Sequence, residues 1–248
     1  MKESILSHLP PECREQLYYY PTLPSTNTEA KALARQGAAH GTAVVAAMQT
    51  GGRGRMGRSF FSPEGSVYLS VILRPQLPAQ DLMHLTCAAA VAAVNAIAAL
   101  TGIQPGIKWI NDLVLNGKKL GGILTELSID PKTQLAEFAI IGIGVNCAHV
   151  PPEVADMATC LDIDPAVLCA KLIEELSRME LADKAAMLAS YRSHCITLGQ
   201  QVKISGSQLQ GEALDVDENG GLIIRLTDGR QITVDSGEVS VRGLYGYV

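Results

Sequence analysis

One dipeptide, Asn116-Gly117, constrains this chain more than any other feature. It interrupts GIKWINDLVLNGKKLGGILTELS, residues 106–128, where strand-like runs stand on both sides. Asn-Gly between two such runs favours a two-residue turn with positive φ at both positions, which joins antiparallel strands. The stretch therefore reads as a β-hairpin: one strand, the turn, a second strand. A hairpin of this kind needs a sheet to join. GTAVVAAMQT (41–50), SVYLSVILRP (66–75) and AEFAIIGIGVNCA (136–148) are small, β-branched and apolar, and read as buried strands.

Helices are marked between the strands. In LPSTNTEAKALARQG (23–37), Thr26 followed by Glu29 fits a capping box, and Gly37 is the stop. Residues 80–101 form an alanine-rich helix ended by Gly102, with small side chains suited to close packing on a sheet. Residues 164–194 read as a helix with Asp164 as N-cap and Pro165 in the first turn. After residue 195 the texture changes. QQVKIS, QGEALDV, GLIIRLT, RQITVD and EVSVRG alternate between Gly-rich turns, and five short strands over roughly fifty residues suggest a small closed β-barrel. The expected architecture is α+β: a mixed β-sheet flanked by helices over 1–195, then a small β-barrel over 196–248.

Composition narrows the function classes. At 248 residues and 47% hydrophobic, the chain can bury one large core, or a medium and a small one. Only 18% of residues are charged, which argues against long disorder. A net charge of −5 argues against general nucleic-acid binding. Six cysteines, at 13, 87, 147, 160, 169 and 195, show neither a C-x-x-C pair nor zinc-like spacing. Free thiols in a reducing cytoplasm are the expectation. The start, MKESILSHLPPEC, lacks the apolar run of a signal peptide, and CAAAVAAVNAIAAL (87–100) is short for a bilayer span. The expectation is a soluble cytoplasmic protein without a membrane partner.

Against this acidic background, GGRGRMGRSFFSPEG (51–65) concentrates Arg53, Arg55 and Arg58 among Gly51, Gly52, Gly54 and Gly57. Glycine lets backbone N–H groups approach an anion, and arginine adds a fork matched to carboxylate or phosphate. The pattern suits a small anionic ligand under a mobile loop; a solvated turn or an RNA-binding segment would look alike in isolation. Lys108, in KWINDL (108–113), lies on an expected buried strand and needs an anionic partner: a ligand, Asp112 or Glu126. Trp109, the single tryptophan, reads as core. Glycines in KKLGGILTE (118–126) and IGIGVN (141–146) clear strand surfaces for a slender ligand or for tight packing.

Taken in order, STN (25–27), Q-x-x-G-R-G-R-M-G-R (49–58), KWIND (108–112), GGILTE (121–126), IGIGVN (141–146) and the closing GEVSVR (237–242) resemble biotin protein ligase. The resemblance runs over nearly the whole chain. It implies a fold related to class II aminoacyl-tRNA synthetase catalytic domains, with a C-terminal barrel of the Src-homology-3 type. It implies that biotin and MgATP yield biotinyl-5′-AMP and pyrophosphate, and that a lysine of a biotin carboxyl carrier protein or domain then takes the biotin. By resemblance, Ser25, Thr26, Asn27 and Gln49 meet the ureido ring, and Gly122 and Gly142 help form the slot for the valeryl chain. Arg53, Gly54 and Arg55 enclose the carboxyl–phosphate junction with backbone N–H groups and the Arg55 side chain. Lys108 bridges the two anions; Lys108 and Arg55 are the catalytic pair. Arg58, Phe60, Asn111 and Asn146 serve the nucleotide, with Phe60 where a relative places tryptophan against adenine. Magnesium is expected with the triphosphate; no protein ligand set is assigned, Asp112 being one candidate.

Two departures matter. Ile110 stands where proline is common, which loosens the local backbone but keeps Lys108 and Asn111 in register. Ser25 arrives after 24 residues, whereas a three-helix DNA reader needs on the order of 60. A ligase without repressor function, and without a DNA partner, is expected. A homodimer through a sheet edge is common in the family, with no mark in this sequence. The competing readings are a lipoate or octanoyl ligase or transferase, and a non-catalytic nucleotide- or RNA-binding module.

Overall fold

The computed structural model describes residues 1–179, 183–235 and 239–241. Two short helices, α1 (Lys2–His8) and α2 (Pro11–Arg14), precede strand β1 (Leu17–Leu23), helix α3 (Thr26–Arg35) and strand β2 (Ala43–Gln49). Strand β3 (Val67–Leu73), helix α4 (Leu85–Thr101) and strands β4 (Gly106–Lys108), β5 (Asp112–Leu115), β6 (Lys118–Ile129) and β7 (Ala136–Val145) follow. Helices α5 (Pro165–Ser177) and α6 (Lys184–His194) lead to β8 (Gln201–Ile204), β9 (Gln210–Val216), β10 (Leu222–Leu226), β11 (Gln231–Val234) and β12 (Val239–Val241).

Strands β1 to β7 form one sheet in the order β1-β2-β3-β7-β6-β5-β4. It is mixed: β1 runs parallel to β2, and the other pairs are antiparallel. One face carries the main core, where α4 and α5 bury Ala89, Ala90, Ala93, Leu172 and Ile173 against Leu69, Val71 and Ile141. The other face packs α3, through Ala30 and Ala34, on Val44, Ile72 and Ile140. Helix α4 stops at Gly102, whose φ of 71° turns its N–H back to the Ala98 carbonyl. Asp164 caps α5 by accepting from the Ala166 N–H at 2.8 Å.

The Asn116-Gly117 turn forms with φ values of 52° and 73° and joins β5 to β6. The strand before it, however, is two strands. Residues 106–115 fold back on themselves, pairing Gly106 with Val114 and Lys108 with Asp112 across a reversal at 109–111. Trp109 and Ile110 are buried there, so tertiary packing overrides the extended reading. The helix expected over 164–194 is likewise two helices: Asp183 starts α6 by accepting from the Ala186 N–H. Residues 180–182 lie outside the described residues.

The expected capping box at Thr26 is also corrected. Ser25 is the N-cap of α3, without a side-chain cap bond. Thr26 turns its hydroxyl to Gln49, and Glu29 accepts from the Tyr20 hydroxyl. Gly37, with φ 93°, lies just past the helix end.

All five expected C-terminal strands are present, as an antiparallel sheet in the order β11-β10-β9-β8-β12. Of GEVSVR, only 239–241 is described, as β12, and the expected barrel is seen as this open five-stranded sheet among the described residues; residues 236–238 and 242–248 lie outside them. The six cysteines are free, and burial pushes the Cys87 and Cys147 thiols up to about 12. One segment among the described residues, Ala79–Thr101, is long and apolar enough to cross a membrane, and 72% of its most apolar window is buried in the fold.

The central pair β6–β7 depends on glycine. A Cβ on Gly121 would sit 2.4 Å from the Gly144 carbonyl oxygen, whereas one on Gly122 would meet the Lys119 side chain at 3.5 Å and Asp112 Oδ1 at 3.6 Å, both ordinary contacts. Gly121→Ala should therefore destabilise the protein by about 1–3 kcal/mol, as overpacking does. Gly122→Ala should change stability by less than about 1 kcal/mol. Chemical denaturation of both variants checks the contrast; equal losses would contradict it.

Candidate functional site

A cavity opens where the start of α3, the ends of β2, β4 and β7, and the middle of β6 meet the Gly/Arg loop. Ser25, Thr26, Asn27 and Gln49 form one end. Arg53, Gly54, Arg55, Met56, Arg58, Ser59 and Phe60 come from the loop. Lys108, Trp109, Asn111 and Asp112 come from the β4–β5 reversal. Lys119, Gly122, Ile123 and Leu124 on β6, with Gly142, Ile143 and Gly144 on β7, complete the wall. Of the residues expected from sequence, Asn146 alone does not line the cavity. Its amide donates to the Thr159 carbonyl at 3.0 Å and its backbone carbonyl accepts from the Leu161 N–H, so it ties the segment after β7 to the sheet.

The neutral end is a connected hydrogen-bond network. Gln49 Oε1 accepts from the Thr26 N–H at 2.8 Å and from the Thr26 hydroxyl at 3.2 Å. Gln49 Nε2 donates to Ser62 Oγ at 2.9 Å, which fixes the amide orientation and leaves one Nε2 proton for a ligand. Ser70 Oγ lies 2.7 Å from Asn27 Oδ1 and 2.8 Å from Thr26 Oγ1. Asn27 Nδ2 donates both protons, to the Leu124 carbonyl at 3.3 Å and to Glu126 Oε2 at 2.9 Å. Asn27 therefore stiffens the wall and presents no amide proton to a ligand. It also explains Gly142: a Cβ there would lie 1.9 Å from Asn27 Oδ1. Gly142 makes room for Asn27 as well as bordering the cavity.

The other end is cationic. Arg53, Arg55, Arg58, Lys108 and Lys119 line a cavity whose lining has one carboxylate, Asp112. Lys108 is 3% exposed at the end of β4. Lys119 Nζ lies 2.7 Å from Asp112 Oδ1. Arg55 donates to Asn111 Oδ1 at 3.1 Å, and Asn111 Nδ2 donates to the Ile123 carbonyl at 3.0 Å. Asn111 thus braces Arg55 against β6.

The loop is bonded to itself. The Phe60 N–H donates to the Gly52 carbonyl at 2.8 Å, and the Gly54 N–H to the Arg58 carbonyl at 2.7 Å. The tip turns through Met56 and Gly57, with φ 54° and 75°. The Gly54 N–H, expected to face a ligand, is engaged by Arg58 in this conformation. Phe60 lies over Gly144, where a Cβ would come within 2.5 Å of its ring, and meets Tyr68 edge-on at 6.4 Å.

Sequence reasoning missed Ser70, Lys31 and the role of Glu126. Glu126 takes Lys31 Nζ at 2.5 Å and Arg53 at 3.2 Å, besides Asn27. Burial alone would raise its carboxyl pKa, but hydrogen bonds from Lys31 and Asn27, with the charges of Lys31 and Arg53, hold it below its ordinary 4.5. Glu126 stood in the quoted GGILTE motif; its partners lie 73 to 99 positions away in the chain, beyond any local pattern.

The model of the biotin/lipoate A/B protein ligase family matches residues 19–146, and that of the biotin protein ligase C-terminal domain matches 197–242. The bifunctional ligase/repressor BirA of Bacillus subtilis is 36% identical over 233 residues, covering 87% of this chain and 71% of that protein. The biotin–[acetyl-CoA-carboxylase] ligase of Mycobacterium tuberculosis is 32% identical, covering 87% and 85%. The biotin protein ligase of Aquifex aeolicus in complex with biotin and ATP superposes with a TM-score of 0.76 at 30% identity, covering 91% of this chain and 98% of that one.

Glu126 should leave a mark on acid stability. A carboxyl whose pKa is lower folded than unfolded stabilises in full above its unfolded value and loses that contribution as pH falls through the folded one. In Glu126→Gln, the melting temperature should fall less steeply with pH below 4.5 than in the wild type. Parallel acid limbs in the two proteins would show that the Lys31–Glu126–Arg53 cluster is not stabilising.

Proposed function

The chain belongs to the biotin/lipoate A/B protein ligase family, and we propose that it activates biotin with ATP to biotinyl-5′-AMP and transfers the biotin to one lysine of a biotin carboxyl carrier domain. The observation that carries this reading is the cavity's asymmetry. Ser25, Thr26 and Gln49 supply uncharged hydrogen-bonding groups, Arg55, Arg58, Lys108 and Lys119 supply positive charge from the loop and the β4–β6 side, and glycine-bearing strands complete the wall. Biotin has the same layout: a polar ureido ring, a slender apolar chain and a carboxylate.

In this reading residues 1–195 are the ligase domain and 196–248 the small second domain. The ureido N–H and C=O groups pair with Ser25, Thr26 and Gln49, since buried polar groups need partners. The valeryl chain runs past Gly122 and along the strand wall that Gly142 borders, and the carboxylate arrives beside Arg55 and Lys108. The nucleotide brings its α-phosphate to the same point, with Arg58 toward the β- and γ-phosphates and Phe60 against adenine.

Two anions must then meet. Lys108 lies between them and lowers their repulsion as a carboxylate oxygen bonds to the α-phosphorus and the bond to pyrophosphate breaks. The acceptor lysine amine next attacks the acyl carbon of the mixed anhydride, an amide forms, and AMP leaves. Arg55, braced by Asn111, retains the adenylate until that attack and limits water at the anhydride.

No group of three or more His, Cys, Asp or Glu side chains that could hold a metal is present among the described residues. A magnesium ion entering with the triphosphate would screen the phosphate charge, and Asp112, held by Lys119 at 2.7 Å, is the single cavity carboxylate that could meet it. Six free cysteines accord with a reducing, cytoplasmic setting.

Pyrophosphate exchange into ATP, with biotin, lipoate or no acid, tests the reading directly. Biotin-dependent exchange is expected; exchange with lipoate alone, or none, would overturn it. Lys108→Ala should lower biotin-dependent exchange by at least about 100-fold with an unchanged melting profile. Arg55→Gly should let the adenylate escape and label stray lysines, read by mass spectrometry of a bystander protein; labelling no higher than wild type would contradict the retaining role.

A further inference from the structure

Strand β4 carries Lys108, yet it is three residues long and sits at the edge of the sheet. Such a strand is weakly held by one neighbour. Its outer side is met by the segment entering the C-terminal sheet: Ile107 bridges Cys195 in parallel, and the Ile196 N–H donates to the Ile107 carbonyl at 3.0 Å. The contact is close, since a Cβ on Gly106 would lie 2.4 Å from Ile196 Cγ2.

Trp109, next to Lys108, is held from the same side. Its backbone N–H donates to Thr197 Oγ1 at 2.9 Å, and its indole Nε1–H to the Gly220 carbonyl at 2.8 Å, both in buried surroundings. Gly220 belongs to the turn between β9 and β10. Asp217 Oδ1 accepts from the Asn219 and Gly221 N–H groups at 2.8 Å, which shapes that turn. With φ 88°, and 3.0 Å from a would-be Cβ to Cys87 Sγ, position 220 leaves no room for a side chain. Arg192 Nε holds Asp215 at 2.7 Å and anchors β9 to α6.

We propose that Trp109 is a positioning residue, a latch through which Thr197 and the 217–221 turn of the C-terminal sheet hold Lys108 at the reacting atoms. The inference rests on the ligase reading for what Lys108 does. It gives the C-terminal sheet a part in adenylate formation through the strand that bears the bridging lysine, without any residue of that sheet touching substrate. Ser25, Thr26 and Gln49 stand on other elements, at the start of α3 and the end of β2. Loosening the latch should therefore misplace the ammonium and leave recognition of biotin's head unchanged. A small displacement of a reacting group costs rate steeply.

The test is steady-state pyrophosphate exchange in the full chain. Trp109→Phe, which keeps the ring and removes the donor, should lower kcat at least about tenfold while the KM for biotin stays within about twofold. Thr197→Val should act in the same direction, and Thr197→Ser should restore the wild-type rate. An unchanged kcat in both Trp109→Phe and Thr197→Val overturns the proposal; so does a Thr197→Ser variant as slow as Thr197→Val. If Trp109→Phe does not fold, the Thr197 pair decides. If the wild type exchanges with neither biotin nor lipoate, the ligase reading is what fails, and the latch is judged on the protein alone. Trp109 is the only tryptophan, so one indole resonance reports it. That N–H should be strongly protected from hydrogen exchange in the wild type and less so in Gly220→Ala; an unprotected indole in the wild type overturns the latch.

Discussion

A lysine ammonium held at 3% exposure is the constraint around which this molecule is arranged. Removing such a charge from water is costly unless oxygen ligands replace the lost hydration. Lys108 stands at the end of a short strand and lines the cavity together with the loop that carries three arginines; in the proposed reaction it meets the anionic substrate groups there. The seven-stranded sheet serves this placement. Its order brings β4 and β5 alongside β6 and β7, so the cationic end of the cavity is built on one side of the glycine-bearing strands and the neutral end, from α3 and β2, on the other.

The two ends are prepared differently. At the neutral end the amide orientations of Gln49 and Asn27 are set by Ser62, Ser70, Leu124 and Glu126. A ligand finds fixed donors and acceptors and pays little for ordering them. In the loop, Arg53 is paired with Glu126 and the Gly54 N–H with the Arg58 carbonyl. A carboxylate or phosphate competes with these partners as it arrives. Under the proposed function, head-group recognition rests on rigid elements and enclosure of the reacting anions on the loop.

How much of this could be read from the residues depended on the range of the signal. Asn116-Gly117, Asp164 and Gly102 act within a few positions, and each forms the turn, cap or stop expected of it. The alternating segments after residue 195 correspond to the five strands. The failures share a cause. The reversal at Trp109–Asn111 is set by Thr197, Gly220 and Tyr191, 81 to 111 positions away. Thr26 leaves the capping role because Gln49 and Ser70 claim its hydroxyl. The family resemblance brought the cavity residues together, apart from Asn146, which ties down the segment after β7. It said nothing of Ser70 or Lys31, whose importance lies in what they touch rather than in any motif.

The most direct measurement is a crystal structure of the chain with a non-hydrolysable analogue of biotinyl-5′-AMP. The acyl–phosphate linkage should lie within hydrogen-bond reach of Lys108 Nζ and the Arg55 guanidinium, with the ureido ring against Thr26 and Gln49. An analogue bound with its linkage away from Lys108, or with its rings exchanged end for end in the cavity, would contradict the account.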